Sequence, residues 1–115
     1  MDQHDINIGR ILQRETKVTT DQIISSLSKS TFVLQTKGAV ALFIYGSRAR
    51  GDNRPDSDLD LFVDYDPSKK FSLLDLAGIK LFIENALGLN AHVTTRDSLN
   101  PRVRSEIEKQ AIRVY

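Results

Sequence analysis

The sequence predicts an α/β (α+β) fold, a small mixed sheet of three to four strands with flanking helices. Three observations predict it. Residues 39–45, AVALFIY, are apolar on both faces and rich in β-formers, as a buried central strand requires. Residues 58–64 alternate, with Leu59, Leu61 and Val63 on one side and Asp58, Asp60, Phe62 and Asp64 on the other. The segments around these runs open with capping residues and close with glycine, which is helix punctuation.

Each element can be justified in order. Ile8, Ile11 and Leu12 lie at helical spacing in a polar opening, so residues 1–18 read as an N-terminal extension with a short helix. Thr19 with Gln22 forms a capping box, and Ile23, Ile24, Leu27, Phe32 and Leu34 supply an apolar stripe that Gly38 ends. After the central strand, residues 46–57 carry two glycines, a proline and five charged side chains, an exposed turn or loop. The alternating strand 58–64 follows and is broken at Pro67. Ser72 with Asp75 caps a helix whose apolar set includes Leu73, Leu76, Ala77, Ile79, Leu81, Phe82, Ile83 and Leu87 and which stops at Gly88. Residues 90–95 form a third strand, with Ala91 and Val93 on one face and Asn90, His92 and Thr94 on the other. Asn100-Pro101 is an N-cap with proline at the first helical position, and Val103, Ile107 and Ala111 give the last helix a narrow seam.

Composition narrows the function classes. The 115 residues suffice for one domain, and no repeat or low-complexity linker divides them. Sixteen Lys and Arg against fifteen Asp and Glu give a net charge of +1, which argues against a basic nucleic-acid tail or an acidic solvating protein. The absence of cysteine removes disulfides, Cys-ligated metals and a thiol nucleophile, and suits a reducing compartment. The opening has no basic region followed by an apolar block, and the longest apolar run is too short to span a membrane. The chain reads as cytoplasmic.

The chemistry concentrates in Gly46-Ser47, ten residues, and then Asp58-Leu59-Asp60. A Gly-Ser turn leaving a buried strand presents backbone N–H groups and a hydroxyl, and glycine lets a bulky anion reach the main chain. Asp58 and Asp60 share a strand face with Cα atoms about 6.6 Å apart, so their carboxylates can converge on one hard cation. Magnesium takes one or two protein carboxylates together with substrate phosphate oxygens, and this pair beside a phosphate-holding turn suits metal–nucleotide binding. Asp64 shares the face but lies about 13 Å from Asp60, beyond reach of the same ion. The loop fails as a P-loop, because Asp52-Asn53 stand where Lys and Ser/Thr belong. Arg48 and Arg50 flank the turn and are placed to neutralise phosphate. Lys69-Lys70 reads as a solvated turn, and Tyr45, Tyr65 and Tyr115 as packing residues.

On FIYGSRARG at 43–51 and SDLDLFV at 57–63 the sequence resembles the minimal nucleotidyltransferases, small members of the DNA polymerase β-like superfamily. The similarity in layout spans residues 19–115, the expected nucleotidyltransferase domain. The resemblance implies the polymerase β-like fold, with Gly46 and Ser47 holding a nucleoside triphosphate and Asp58 and Asp60 binding magnesium. It implies transfer of AMP from ATP to an acceptor hydroxyl, with release of pyrophosphate. Small prokaryotic members often serve as the antitoxin of a HEPN-domain ribonuclease toxin, with a tyrosine of that toxin as acceptor. The family usually has a third carboxylate on the next strand, and here His92 stands at that position. An imidazole there can ligate a metal or take the acceptor's proton, yet it brings no negative charge. A binding module that masks a toxin without catalysis, and transfer to a small-molecule hydroxyl, are the alternatives. Asp97 is a further candidate acid.

Overall fold

The computed structural model describes residues 18–115, so the helix expected at Ile8 to Leu12 lies outside the described residues. The elements run α1 (Thr20–Ser28), α2 (Thr31–Thr36), β1 (Ala41–Tyr45), α3 (Ser47–Arg50), β2 (Leu59–Asp64), α4 (Leu73–Leu87), β3 (Ala91–Thr95), α5 (Pro101–Gln110) and β4 (Ile112–Arg113). A 3₁₀ turn, Arg96–Ser98, joins β3 to α5. No helix among the described residues is long and apolar enough to cross a membrane.

The four strands lie in the order β3-β2-β1-β4. β1 pairs antiparallel with β2 and with β4, whereas β2 and β3 are parallel. A parallel pair needs a crossover, and the 15-residue α4 supplies it. Its start is fixed by the Ser72–Asp75 capping box and its end by Gly88 at φ 68°, a left-handed position that glycine adopts without a Cβ clash.

One face of the sheet builds the core. Leu42, Ile44, Leu59, Leu61, Val63 and Ala91 pack against Ile23 and Leu27 of α1, Leu34 of α2, and Ile79 and Ile83 of α4, all buried. The Thr19–Gln22 capping box starts α1, with both reciprocal hydrogen bonds formed.

Four expectations change. Of the apolar set expected in α4, Leu73 and Leu81 are 82% and 58% exposed, because only the face carrying Ile79 and Ile83 is pressed into the core. The stripe from Ile23 to Leu34 is two helices, because the chain turns at Lys29-Ser30; Leu34 then faces inward and Phe32 is 76% exposed. Phe62 lies on the carboxylate face of β2 but is fully buried, since Phe43 stacks on it at 4.7 Å and the Arg96 guanidinium covers it at 5.0 Å. The last helix has no buried residue, Val103 is exposed and Ala111 falls beyond its end. Polar ties hold it instead, from Glu108 to Arg96 and from Arg104 to the carbonyls of Asp97 and Leu99.

Candidate active site

The site forms where β1 ends and β2 begins. β1 leads through Gly46 into the four-residue α3, in place of the open loop that the sequence suggests. Gly46 has φ 76°, and a Cβ on it would come 2.5 Å from Oδ2 of Asp60. Glycine is therefore required twice, for the backbone angle and for the approach of the carboxylate. Sequence order separates the Gly-Ser turn from the second aspartate by thirteen residues; the antiparallel register, with Tyr45 opposite Asp60, brings them into contact.

Asp60 is held within β2, between Tyr45 of β1 and His92 of β3 in the register. Burial pushes its carboxyl above the ordinary carboxylate value; Asp58 adds to the rise, while His92 and Arg50 pull against it. Tyr45 is raised as well, by burial and by the charge of Asp60. Asp58 lies just before the strand, and its Oδ2 is 3.5 Å from Nε2 of His92. His92 is exposed, so alternation along β3 does turn it to the carboxylate face.

Two carboxylates thus stand beside a turn shaped by glycine, and the charge of Asp58 adds to the rise at Asp60. Their repulsion is what a hard divalent cation relieves, and the donor set, oxygen and anionic, matches magnesium better than a softer metal. Among the described residues no group of three or more His, Cys, Asp and Glu side chains is arranged to enclose a metal by itself. Asp58 and Asp60 fit an ion whose remaining ligands come from substrate and water.

The two arginines of the turn differ. Arg50 is half-exposed, pairs with Asp52 at 3.1 Å and lies close enough to Asp60 to lower its carboxyl. Arg48, expected beside phosphate, is only 2% exposed and points inward. Its Nε and Nη2 donate to the Ser57 carbonyl at 3.2 and 2.8 Å, Nη2 also to that of Pro55 at 3.3 Å, and Nη1 to that of Val18 at 3.4 Å. One turn of helix separates residues 47 and 50 only loosely in angle, yet residue 48 faces the interior, where carbonyls of the following loop await a donor.

Other candidates lie away from the site. Asp64, at the far end of β2, receives two hydrogen bonds from Arg96 at 2.8 and 3.1 Å. Asp97 accepts from Tyr65 and Thr95, and these bonds hold its carboxyl below the ordinary range. Tyr65 stacks on Phe71, and the Tyr115 hydroxyl donates to the Ala39 carbonyl, both packing roles.

Comparison with known proteins now decides the family. Residues 27–114 match the family model described as "Nucleotidyltransferase domain". The chain belongs to this family and is a minimal nucleotidyltransferase. A relative in Methanocaldococcus jannaschii, described as a "putative protein adenylyltransferase", is 34% identical over 82 residues, 71% of this chain and 86% of the relative. A solved structure described as a "putative minimal nucleotidyltransferase" is 34% identical with a TM-score of 0.61, covering 77% of this chain and 93% of that one. The fold also matches a complex described as a tri-AMPylated Shewanella oneidensis HEPN toxin with an MNT antitoxin, at 12% identity and a TM-score of 0.59, covering 83% of this chain and 71% of that one. The polymerase β-like fold expected from the sequence is thereby shown, as is the nucleotidyltransferase assignment.

Proposed function

We propose that this minimal nucleotidyltransferase transfers AMP from ATP, with magnesium, to a tyrosine hydroxyl of a partner HEPN-domain toxin, and that it serves as the antitoxin. The observation that carries the reading is the contact of Gly46 with Asp60, which sets a phosphate-admitting turn directly against a carboxylate pair. The names of the relatives support the acceptor class: they include protein adenylyltransferases and an antitoxin bound to an AMPylated toxin. The reading sets the protein in the cytoplasm, with its ATP and its partner.

Each residue then has a task. Asp58 and Asp60 would hold magnesium, which supplies screening of polyphosphate charge and stabilises the departing pyrophosphate. Gly46 and Ser47 admit and hold the phosphates, and Arg50 offers a second positive charge at the mouth of the site. The acceptor oxygen attacks the α-phosphorus in line as the bond to the bridging oxygen of pyrophosphate breaks. The proton of the acceptor hydroxyl passes to Nε2 of His92, the exposed base beside Asp58.

The test is incorporation of labelled AMP into a purified HEPN partner by the wild type, Asp58→Ala and His92→Ala. Labelling that both substitutions abolish supports the reading. A second reading draws on His92, which stands where the resemblance implies a third carboxylate: a fold that neutralises its partner by contact alone. Wild type without labelling, together with full neutralisation by Asp58→Ala, would establish that alternative. Labelling of a small-molecule alcohol in place of protein would redirect the acceptor class.

A further inference from the structure

Asp58 and Asp60 are positioned by different means. Asp60 sits inside β2, fixed by pairing on both sides. Asp58 precedes the strand, and the first β2–β3 tie, from the Leu59 N–H to the Asn90 carbonyl at 2.8 Å, comes one residue later. The ladder therefore does not set the Ser57–Asp58 peptide. Arg48 does: Nε and Nη2 both close on the Ser57 carbonyl, and Nη2 also reaches that of Pro55. From the other side, the Thr20 hydroxyl donates to the Arg48 carbonyl at 2.7 Å, and Nη1 reaches Val18. A fully buried guanidinium thus bridges α3, the loop before the aspartates and the N-terminal edge of α1.

We propose that Arg48 is a positioning residue for metal binding: its grip on the Ser57 carbonyl aims Asp58 at the cation shared with Asp60. The inference rests on the metal–nucleotide reading of the site. A planar fork with five N–H donors can hold several carbonyls at fixed angles, which the single head of lysine cannot do. Removing such an outer support of a metal ligand costs about 10- to 100-fold in metal affinity. The effect should reach Asp58 and spare the strand that carries Asp60.

The experiment uses Arg48→Lys and Arg48→Gln in the full chain, with two readouts. Amide hydrogen exchange follows residues 53–59, where the Ser57 N–H bonds the Arg54 carbonyl and the Arg54 N–H bonds Ser57 Oγ, against Leu61 and Val63 as strand controls. Calorimetry follows binding of manganese with a non-hydrolysable ATP analogue. Expected are faster exchange at Arg54 and Ser57, unchanged protection of Leu61 and Val63, and metal–nucleotide affinity lower by about 10-fold or more. In an Asp58→Asn background the same Arg48 substitutions should cost less than twofold further, since the residue being aimed is gone. Unchanged loop exchange, or faster exchange with undiminished affinity, overturns the inference and leaves the proposed function standing. A wild type that binds no metal–nucleotide overturns the function, and the inference with it. Unfolding of both variants would assign Arg48 to the fold as a whole and also overturns the positioning role.

Discussion

Nε2 of His92 stands 3.5 Å from Oδ2 of Asp58, although no shared strand pairing requires the two to meet. His92 is opposite Asp60 in the ladder and leans toward Asp58, so one imidazole addresses both carboxylates. Its side chain is 71% exposed, which leaves it open to an incoming acceptor.

This exposure separates function from stability. His92→Ala should lower AMP transfer by about 10²-fold, the lower end of what a positioned general base supplies. Its melting temperature should stay within about 1 °C, as for other exposed substitutions. Transfer assays and thermal melts on the same preparations check both halves. Loss of stability in step with activity would mean that the histidine is structural.

Asp60 should show the opposite trade. Its folded carboxyl titrates above the ordinary value, so its ionised form is less welcome in the fold than in the unfolded chain. A raised carboxyl favours folding below the unfolded pKa, and that advantage is lost as pH rises through the folded value. Near neutral pH the charge therefore destabilises. Asp60→Asn should raise the melting temperature at pH 7 by about 1–3 °C, a modest gain because the side chain is half-exposed. The gain should shrink as pH falls through the raised folded value and vanish below the ordinary aspartate value of about 3.9, where the carboxyl is protonated in the unfolded chain as well. Scanning calorimetry from pH 3.5 to 7.5 measures it; a gain that persists in acid would reject the desolvation account.

Gly46 and Gly51 form a natural control pair. Both have positive φ, 76° and 83°, but a Cβ at Gly51 meets nothing within 4 Å whereas one at Gly46 meets Asp60. Gly51→Ala should cost about 1 kcal/mol from backbone strain and leave nucleotide affinity unchanged. Gly46→Ala should cost about 1–3 kcal/mol and displace Asp60, with nucleotide binding reduced at least 10-fold. Urea unfolding and calorimetric titration distinguish the two. Equal loss of binding in both variants would show that the turn's flexibility, not its closeness to Asp60, is what counts.

Much of this architecture is written in local patterns. The capping residues at Thr19, Ser72 and Asn100 start helices where expected, and the alternation of 58–64 places Asp60 on the correct face. These signals depend on neighbours in sequence, so they can be read without the fold. What escapes is set by partners distant in sequence. Arg48 resembles any loop cation until the carbonyls of Ser57 and Pro55 are folded over it. Phe62 reads as the odd member of a polar face until Phe43 and Arg96 close on it from β1 and the 3₁₀ turn. The two-residue β4 is too short for any period to register, and only its pairing with Phe43 and Ile44 defines it.

Arg96 shows how the carboxylate face is kept rigid beyond the site. It makes two hydrogen bonds to Asp64 and one to Glu108 at 2.6 Å, and its guanidinium carbon lies 4.7 Å from the centre of the Phe43 ring and 5.0 Å from that of Phe62. The hydrogen bonds to both carboxylates hold it firmly in the charged form. A guanidinium can pair in two-pronged fashion with a carboxylate and still contact aromatic rings, which a single ammonium cannot do. Arg96→Ala should destabilise the fold by about 1–2 kcal/mol, and Arg96→Lys should recover less than half of that. Phe62 lies two residues beyond Asp60 on the same face, so uncovering it should also loosen the strand at the site. Hydrogen exchange at Phe62 and Asp60 should rise in both variants, read alongside urea unfolding. Full rescue by lysine would reduce Arg96 to a point charge and remove stacking from the account.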